Sequence, residues 1–314
     1  MCNAIILKGL LELKDVNTGK ITEKNNTKAV YWFQQAANQN NAQATNHLGV
    51  MYANGLGVGK DLHQAFILYR HAAEQGDPMA AYNVAQRYVR GESVSPDLVQ
   101  AFQWYLFSAE RGYAGAMYQT TINYYEGKGV VADLTLAKYW AMKGTEAGDT
   151  DCMRMLAWYY YNASGYETER DHERAFELFD KVWQALPDDA YSLYRIAEML
   201  YQGINGQRQD RVRAFELFKR LVTMGDIFSH YYLGCIYYDD NNAYIDGKDI
   251  QKALVHFKQA AEHGDHLAQF NAGNILFYGE HGERDIKNGL KYFELSAKNN
   301  YSVAREKLAS IYFD

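Results

Sequence analysis

The chain has 314 residues, 48% of them hydrophobic and 22% charged, and carries a net charge of −6 at neutral pH. That balance suits a water-soluble chain with a buried core, and the absence of clustered Lys and Arg argues against a nucleic-acid surface. No run reaches the roughly 18 consecutive apolar residues of a membrane-spanning helix, so membrane insertion is not expected.

At the N-terminus, MCNAIILKGLLEL lacks a basic leader and is broken by Lys8 and Glu12, so it reads as a poor signal peptide. Residues 2–14 read as a degenerate helix and 15–27 as a polar link rich in Asn, Thr and Lys. Cys2, Cys152 and Cys235 form no CxxC pair. The expectation is reduced thiols and residence in the cytoplasm.

From residue 28 the chain repeats. In the stretch 42–76, Ala44, Leu48 and Tyr52 stand four apart, as one buried stripe of a helix requires. The link Gly55-Leu56-Gly57-Val58-Gly59 breaks that helix, and Asp61 is placed to cap a second one carrying Ala65, Leu68, Tyr69, Ala72 and Ala73 on its packing face. The small residue early in each second helix recurs as Ala29, Ala65, Ala101, Ala137, Ala175, Ala214, Ala253 and Gly289, at intervals of 36, 36, 36, 38, 39, 39 and 36. Eight pairs of helices follow, each with a first (A) and a second (B) member. B helices are predicted near 28–38, 62–75, 97–111, 133–147, 171–185, 210–224, 250–263 and 286–298. A helices are predicted near 42–53, 78–90, 114–126, 150–161, 188–202, 227–238 and 266–278. The links at 162–170 and 239–249 are longer than the rest. A shared core makes one elongated repeat domain over 28–300, with 1–27 as an N-terminal cap and a closing helix at 302–313 within 301–314.

The pattern Leu48-Gly49-x-x-Tyr52-x-x-Gly55-x-Gly57-Val58, followed by Asp61-x-x-x-Ala65 and Tyr69-x-x-Ala72-Ala73-x-x-Gly76, resembles the Sel-one-like repeat, a relative of the tetratricopeptide repeat. A second copy keeps Tyr88, Gly91, Val94, Asp97, Ala101, Trp104, Tyr105 and Gly112, and a third keeps Tyr124, Gly127, Gly129, Val130, Asp133, Ala137, Trp140 and Gly148. The resemblance implies an all-α, right-handed solenoid that presents a concave surface to other proteins and is not an enzyme. Some secreted relatives staple each repeat with a cysteine pair, and this chain lacks those pairs.

On the A helix, Asn46, Val50 and Ala53 fall opposite Ala44, Leu48 and Tyr52 at about 100° per residue, on a face not needed for packing onto the B helix. In the resemblance this face is the concave lining. Its equivalents down the chain form a groove of Tyr82, Gln86, Tyr118, Ile122, Tyr125, Arg154, Trp158, Tyr161, Tyr194, Glu198, Tyr201, Tyr231, Tyr238, Phe270 and Phe277, aromatic along one flank. Rigid rings give large contact area at little entropic cost, so these residues are candidates for holding a partner. The competing reading is that the rings stack on neighbouring helices and fill the inside of the superhelix. Charged residues on the same face, among them Arg90, Glu126, Asp151, Arg154, Glu198 and Asp239, favour a surface that meets water or a partner.

Catalytic and cofactor signatures are weak. Gly55 to Lys60 has the look of a phosphate loop but lacks the required spacing, and no strand precedes it. His263 and His266 flank Gly264 in an inter-repeat turn without a fixed third ligand. Asn162-Ala163-Ser164 matches a glycosylation sequon without a secretory route. The expectation is a non-enzymatic scaffold without a cofactor that binds a protein or peptide as an adaptor or regulator. The alternatives are an immunity or chaperone protein that sequesters a toxin or effector, and a secreted or envelope-associated repeat protein.

Overall fold

The computed structural model describes residues 23–162, 171–204, 210–240, 247–280 and 282–313. Every regular element among them is an α-helix. The chain divides into two compact units, Met1–Glu169 and Arg170–Asp314. The first holds α1 (Glu23–Ala37), α2 (Ala42–Asn54), α3 (Leu62–Glu74), α4 (Pro78–Arg90), α5 (Leu98–Glu110), α6 (Ala114–Glu126), α7 (Leu134–Glu146) and α8 (Thr150–Asn162). The second holds α9 (His172–Ala185), α10 (Ala190–Gln202), α11 (Arg211–Thr223), α12 (Ser229–Tyr238), α13 (Ile250–Glu262), α14 (His266–Tyr278), α15 (Ile286–Lys298) and α16 (Ser302–Phe313). Among the described residues no helix is long and apolar enough to cross a membrane. The helix read at 2–14, most of the two longer links, and Ala163 and Ser164 of the sequon lie outside the described residues.

Within each unit, A and B helices form hairpins that stack on their neighbours, the architecture of a helical repeat solenoid. The small residue used as the ruler is buried on every B helix. All seven alanines of the series are buried at 2% exposure or less. In the eighth copy a Cβ on Gly289 would lie 2.8 Å from the Phe277 backbone nitrogen, so nothing larger than hydrogen fits there without a shift.

Capping sets the ends of the hairpins. Asp61, Asp97, Asp133, Asp171, Asp210, Asp249 and Asp285 each accept an amide of the first B-helix turn. The amides of Asp61, Asp97 and Asp133 in turn donate to the carbonyls of Tyr52, Tyr88 and Tyr124 at 2.9–3.1 Å, tying the link back to its A helix. Two A helices start two residues later than predicted, each with an aspartate side chain accepting an amide at the observed start. Asp189 accepts the Ser192 amide at the start of α10, and Asp226 accepts the Ser229 amide at the start of α12.

The first helix also departs from the sequence reading: it begins at Glu23, inside the expected polar link, rather than near 28. No Gly or Pro interrupts this stretch, and Asn26 is buried. Gly57 of the following link lies over the Asn26–Thr27 peptide so closely that a Cβ would meet the Asn26 carbonyl carbon at 2.4 Å.

The same contact recurs two repeats on, where a Cβ on Gly129 would sit 2.0 Å from the Leu98 carbonyl oxygen, and both glycines hold a left-handed φ near +70°. Between them, in the same register, stands Ser93, also left-handed at φ 69°. A left-handed conformation costs an L-residue roughly 1–2 kcal/mol. Ser93→Gly should therefore stabilise the chain by about 1 kcal/mol, whereas Gly129→Ala should cost about 3 kcal/mol or more, because strain and collision act together. Urea unfolding curves of the two variants measure both signs.

Candidate binding surface

The predicted groove residues are placed by how each A helix receives its B helix. At the middle of the B helix stands a large ring, and the A helix makes room for it. A Cβ on Gly49, Gly234 or Gly273 would come within 2.6–2.8 Å of the ring of Tyr69, Phe257 or Phe293, respectively. In the same register Ala85 and Ala197 correspond to Tyr105 and Phe218, and Thr121 corresponds to Ala141. Burying one such ring contributes about 1.5–3 kcal/mol.

In the second unit the ladder residues bracket that ring. Tyr194 and Tyr201 of α10 lie 6.3 and 6.4 Å from Phe218. Tyr231 and Tyr238 of α12 lie 6.2 and 6.5 Å from Phe257. Phe270 and Phe277 of α14 lie 5.5 and 5.8 Å from Phe293. Seven residues of helix rise about 10.5 Å, which leaves space for one ring between the two arms. Edge-on and tilted contacts at these separations are favourable in their own right.

The second arm of each bracket carries a cation over its face, which the sequence reading missed. Arg211 lies 5.4 Å from the Tyr201 ring, Lys248 4.1 Å from Tyr238 and Arg284 5.9 Å from Phe277. The available signal was a basic residue ten positions after the ring in two copies, at Arg211 and Lys248. Tyr238 also donates its hydroxyl to Glu280 at 2.6 Å, and burial together with Glu280 pushes its phenol up to about 12.

Glu198 is the buried member of the predicted groove. It is 8% exposed, accepts the Tyr232 hydroxyl at 2.9 Å and pairs with Arg195 at 2.7 Å. Tyr232 itself lies flat on Phe218 at 4.6 Å, so this carboxylate ties two successive A helices together. Burial, and secondarily Glu198, pushes the Tyr194 phenol up to about 12. Tyr194 therefore stays neutral through the physiological range.

The first unit is less regular. Tyr82 is half-buried against Tyr105 at 5.5 Å and Tyr113 at 5.2 Å, and Gln86 donates to its hydroxyl at 3.0 Å. Tyr118 is half-buried beside the cluster of Met117, Trp140 and Cys152, and Ile122 is half-buried one turn on. Arg154 pairs with Asp151 at 2.9 Å, and Tyr161 is half-buried at the end of α8. Tyr125 differs from its counterparts in the second unit. Its B helix carries Ala141 where the others have a ring, so Tyr125 leans onto the next A helix instead. There it meets Trp158 edge-on at 5.6 Å and remains 37% exposed.

The A-helix face opposite the Ala44 stripe is therefore not free of packing, contrary to the helical-wheel argument. Asn46 is 1% exposed and Ala53 7%. The helix α2 is flanked by the B helices α1 and α3 and also touches a second A helix, α4. Asn83 donates to Asn46 across that contact at 2.9 Å. Charges expected to mark a wet surface have partners: Glu126 pairs with Lys128, and Asp239 with Arg211. The residues weighed for other chemistry are structural here. Gly55 ends α2, and the His263 ring contacts the Gln259 carbonyl while His266 packs on Tyr301.

The bracket makes Phe257→Ala costly, by about 3–5 kcal/mol, with loss of near-ultraviolet circular dichroism from Tyr231 and Tyr238. A second expectation concerns pH. Next to Tyr231, His230 and His256 meet through their Nδ1 atoms at 2.8 Å, and Tyr237, with Lys252 over it, stacks on His256. Burial holds both imidazoles below their usual range; at His230 Asp226 opposes the shift and His263 adds to it, and His256 is lowered to about 4 with help from His230. From about pH 6.5 downward the unfolded chain takes up protons that the folded unit refuses. Stability should be level above that pH and fall between about 6.5 and about 4. Urea midpoints at pH 7, 6 and 5 measure the slope, and His256→Asn should flatten it.

The Sel1 repeat profile matches residues 17–41, 42–77, 78–113, 114–149, 150–181, 190–226, 227–265 and 266–301. Comparison with the curated proteins finds no match. Among solved structures, the chain is similar to c5321, a protective antigen of uropathogenic Escherichia coli with an SLR fold, at 29% identity and a TM-score of 0.76. The match covers 100% of this chain but 65% of c5321, so the chain spans about two-thirds of that protein's length. A Sel1 repeat protein of Oxalobacter formigenes is similar at 26% identity and a TM-score of 0.61, covering 82% of this chain and 96% of its own. Immunity protein Pa5087 of Pseudomonas aeruginosa aligns over 71% of this chain and 81% of its own, at 17% identity and a TM-score of 0.36, a likeness that carries no functional weight. Sel1 repeat proteins are protein-interaction scaffolds, generally without catalysis. Eight matches in register across the helical hairpins show that this chain belongs to the Sel1 repeat family.

Proposed function

We propose that this chain is a non-enzymatic, cytoplasmic adaptor that holds a protein or peptide partner against the ring-bearing faces of its A helices. The observation that carries this reading is the Tyr125–Trp158 pair. Its edge-to-face geometry fixes both rings, and Tyr125 keeps 37% of its surface in water although its counterparts in the second unit are bracketed around B-helix rings. A rigid, half-open aromatic pair is the kind of surface from which binding hot spots are made. Cytoplasmic residence is supported by Cys152 and Cys235, both free thiols.

The brackets and the open pair separate folding from binding. Removing a bracket ring loosens the hairpin, whereas Tyr125 supports no B-helix ring. For a partner captured by chemical crosslinking in native lysate and then purified, Tyr125→Ala should weaken binding about tenfold while the thermal midpoint and helical circular dichroism stay near wild type. Unchanged affinity in a folded Tyr125→Ala chain would sink the proposal.

A further inference from the structure

In the second unit, the start of α10 and the turn before α12 enclose a cavity of about 450 Å³ lined by Ala190, Tyr191, Tyr194, Arg195, Asp226 and Phe228. Pockets that bind small ligands or anchor side chains occupy roughly 300–1,000 Å³. Phe228 stands 67% exposed at its mouth, and Tyr191 is 37% exposed. Single exposed rings are common on surfaces. Three rings converging on one cavity form a site with a definable occupant.

The charges select that occupant. Arg195 lies 5.2 Å from the Tyr191 ring and 5.5 Å from the Tyr194 ring, with Glu198 as its ion-pair partner. A second cation entering the cavity would meet this guanidinium and the positive amino ends of α10 and α12. An anion would meet Asp226, together with Asp189 at the α10 cap. Asp226 uses Oδ2 for the Ser229 amide and hydroxyl, while its Oδ1 takes no donor among the described residues. An aliphatic occupant would strip water from that oxygen and return nothing. An aromatic side chain with its own N–H meets every requirement. Its ring stacks on Phe228 and on the rings beneath the Arg195 guanidinium, and its N–H donates to Asp226.

We propose that this cavity is the anchor pocket for a tryptophan side chain of the partner, which rests on the protein-binding reading above. Isolated probes test it on the full chain without the partner. Ligand-observed nuclear magnetic resonance should show N-acetyltryptophan amide binding with a Kd of order 1 mM. N-acetyl-1-methyltryptophan amide, which has the same ring but no N–H, should bind about tenfold more weakly, and N-acetylarginine amide more weakly still.

Asp226→Asn preserves a capping oxygen for Ser229 but presents an amide NH₂ where the indole needs an acceptor, so it should also lose about tenfold while remaining folded. Phe228→Ala, at an exposed position, should lose binding without loss of stability. Equal binding of the methylated probe, tighter binding of the arginine or a leucine amide, or no saturation by about 20 mM would each overturn the proposal. Because these probes bypass the partner, their failure would leave the Tyr125 result standing, and a null Tyr125 result would not alter theirs.

Discussion

Everything in this chain depends on how closely an A helix lets its B helix approach. Gly49, Gly234 and Gly273 bring the rings of Tyr69, Phe257 and Phe293 against A-helix backbone, at distances no Cβ would permit. The ruler alanines do the reciprocal service on the B helix, buried where its backbone faces the A helix. Small opposite large at each level is dense packing achieved without a long-range plan, because each hairpin fits its own two helices. A family of hairpins so built can stack with only nearest-neighbour contacts.

That constraint gives the ladder aromatics two kinds of work. In the second unit the inner edges of Tyr194, Tyr201, Tyr231, Tyr238, Phe270 and Phe277 hold the B-helix rings, and only their outer edges are left for water or a partner. Arg211, Lys248 and Arg284 then cover a face of the second arm, with Arg211 paired to Asp239 and Lys248 to Asp240, so the surface offered to a partner combines ring edges with ion-paired side chains. In the first unit the same register holds Ala141, and the ring freed by its small size is Tyr125. The binding surface is thus set as much by side-chain volume on the hidden helix as by the aromatic residues themselves.

Polar chemistry inside the repeats is mostly structural. Glu198 joins two A helices through Tyr232 and Arg195, and the aspartates of the links cap helices. A buried carboxylate with two partners avoids the cost of an uncompensated charge and fixes helix register. Asp226 stands apart, since it accepts from Ser229 at the start of α12 and also lines a ring-bearing cavity.

The repeat period, the helix pairs, the aspartate caps and the family were all legible in the residues, because capping and the 3.6-residue stripe are local properties that each copy states again. Among the described residues, helix limits moved where a distant contact intervened, as in the first turns of α1, where Gly57 lies over the Asn26–Thr27 peptide, or where a second cap lay nearby, as at Asp189. The candidate site was legible as a set of ring positions and no further. A helical wheel places Asn46 and Ala53 opposite the A-helix stripe, but it cannot show that two B helices and another A helix cover that side as well. Which rings face water follows from volumes brought together by folding, Ala141 against Tyr125 and Phe218 against Tyr194 and Tyr201. Exposure is a property of neighbours in space, and only the tertiary structure decides who those neighbours are.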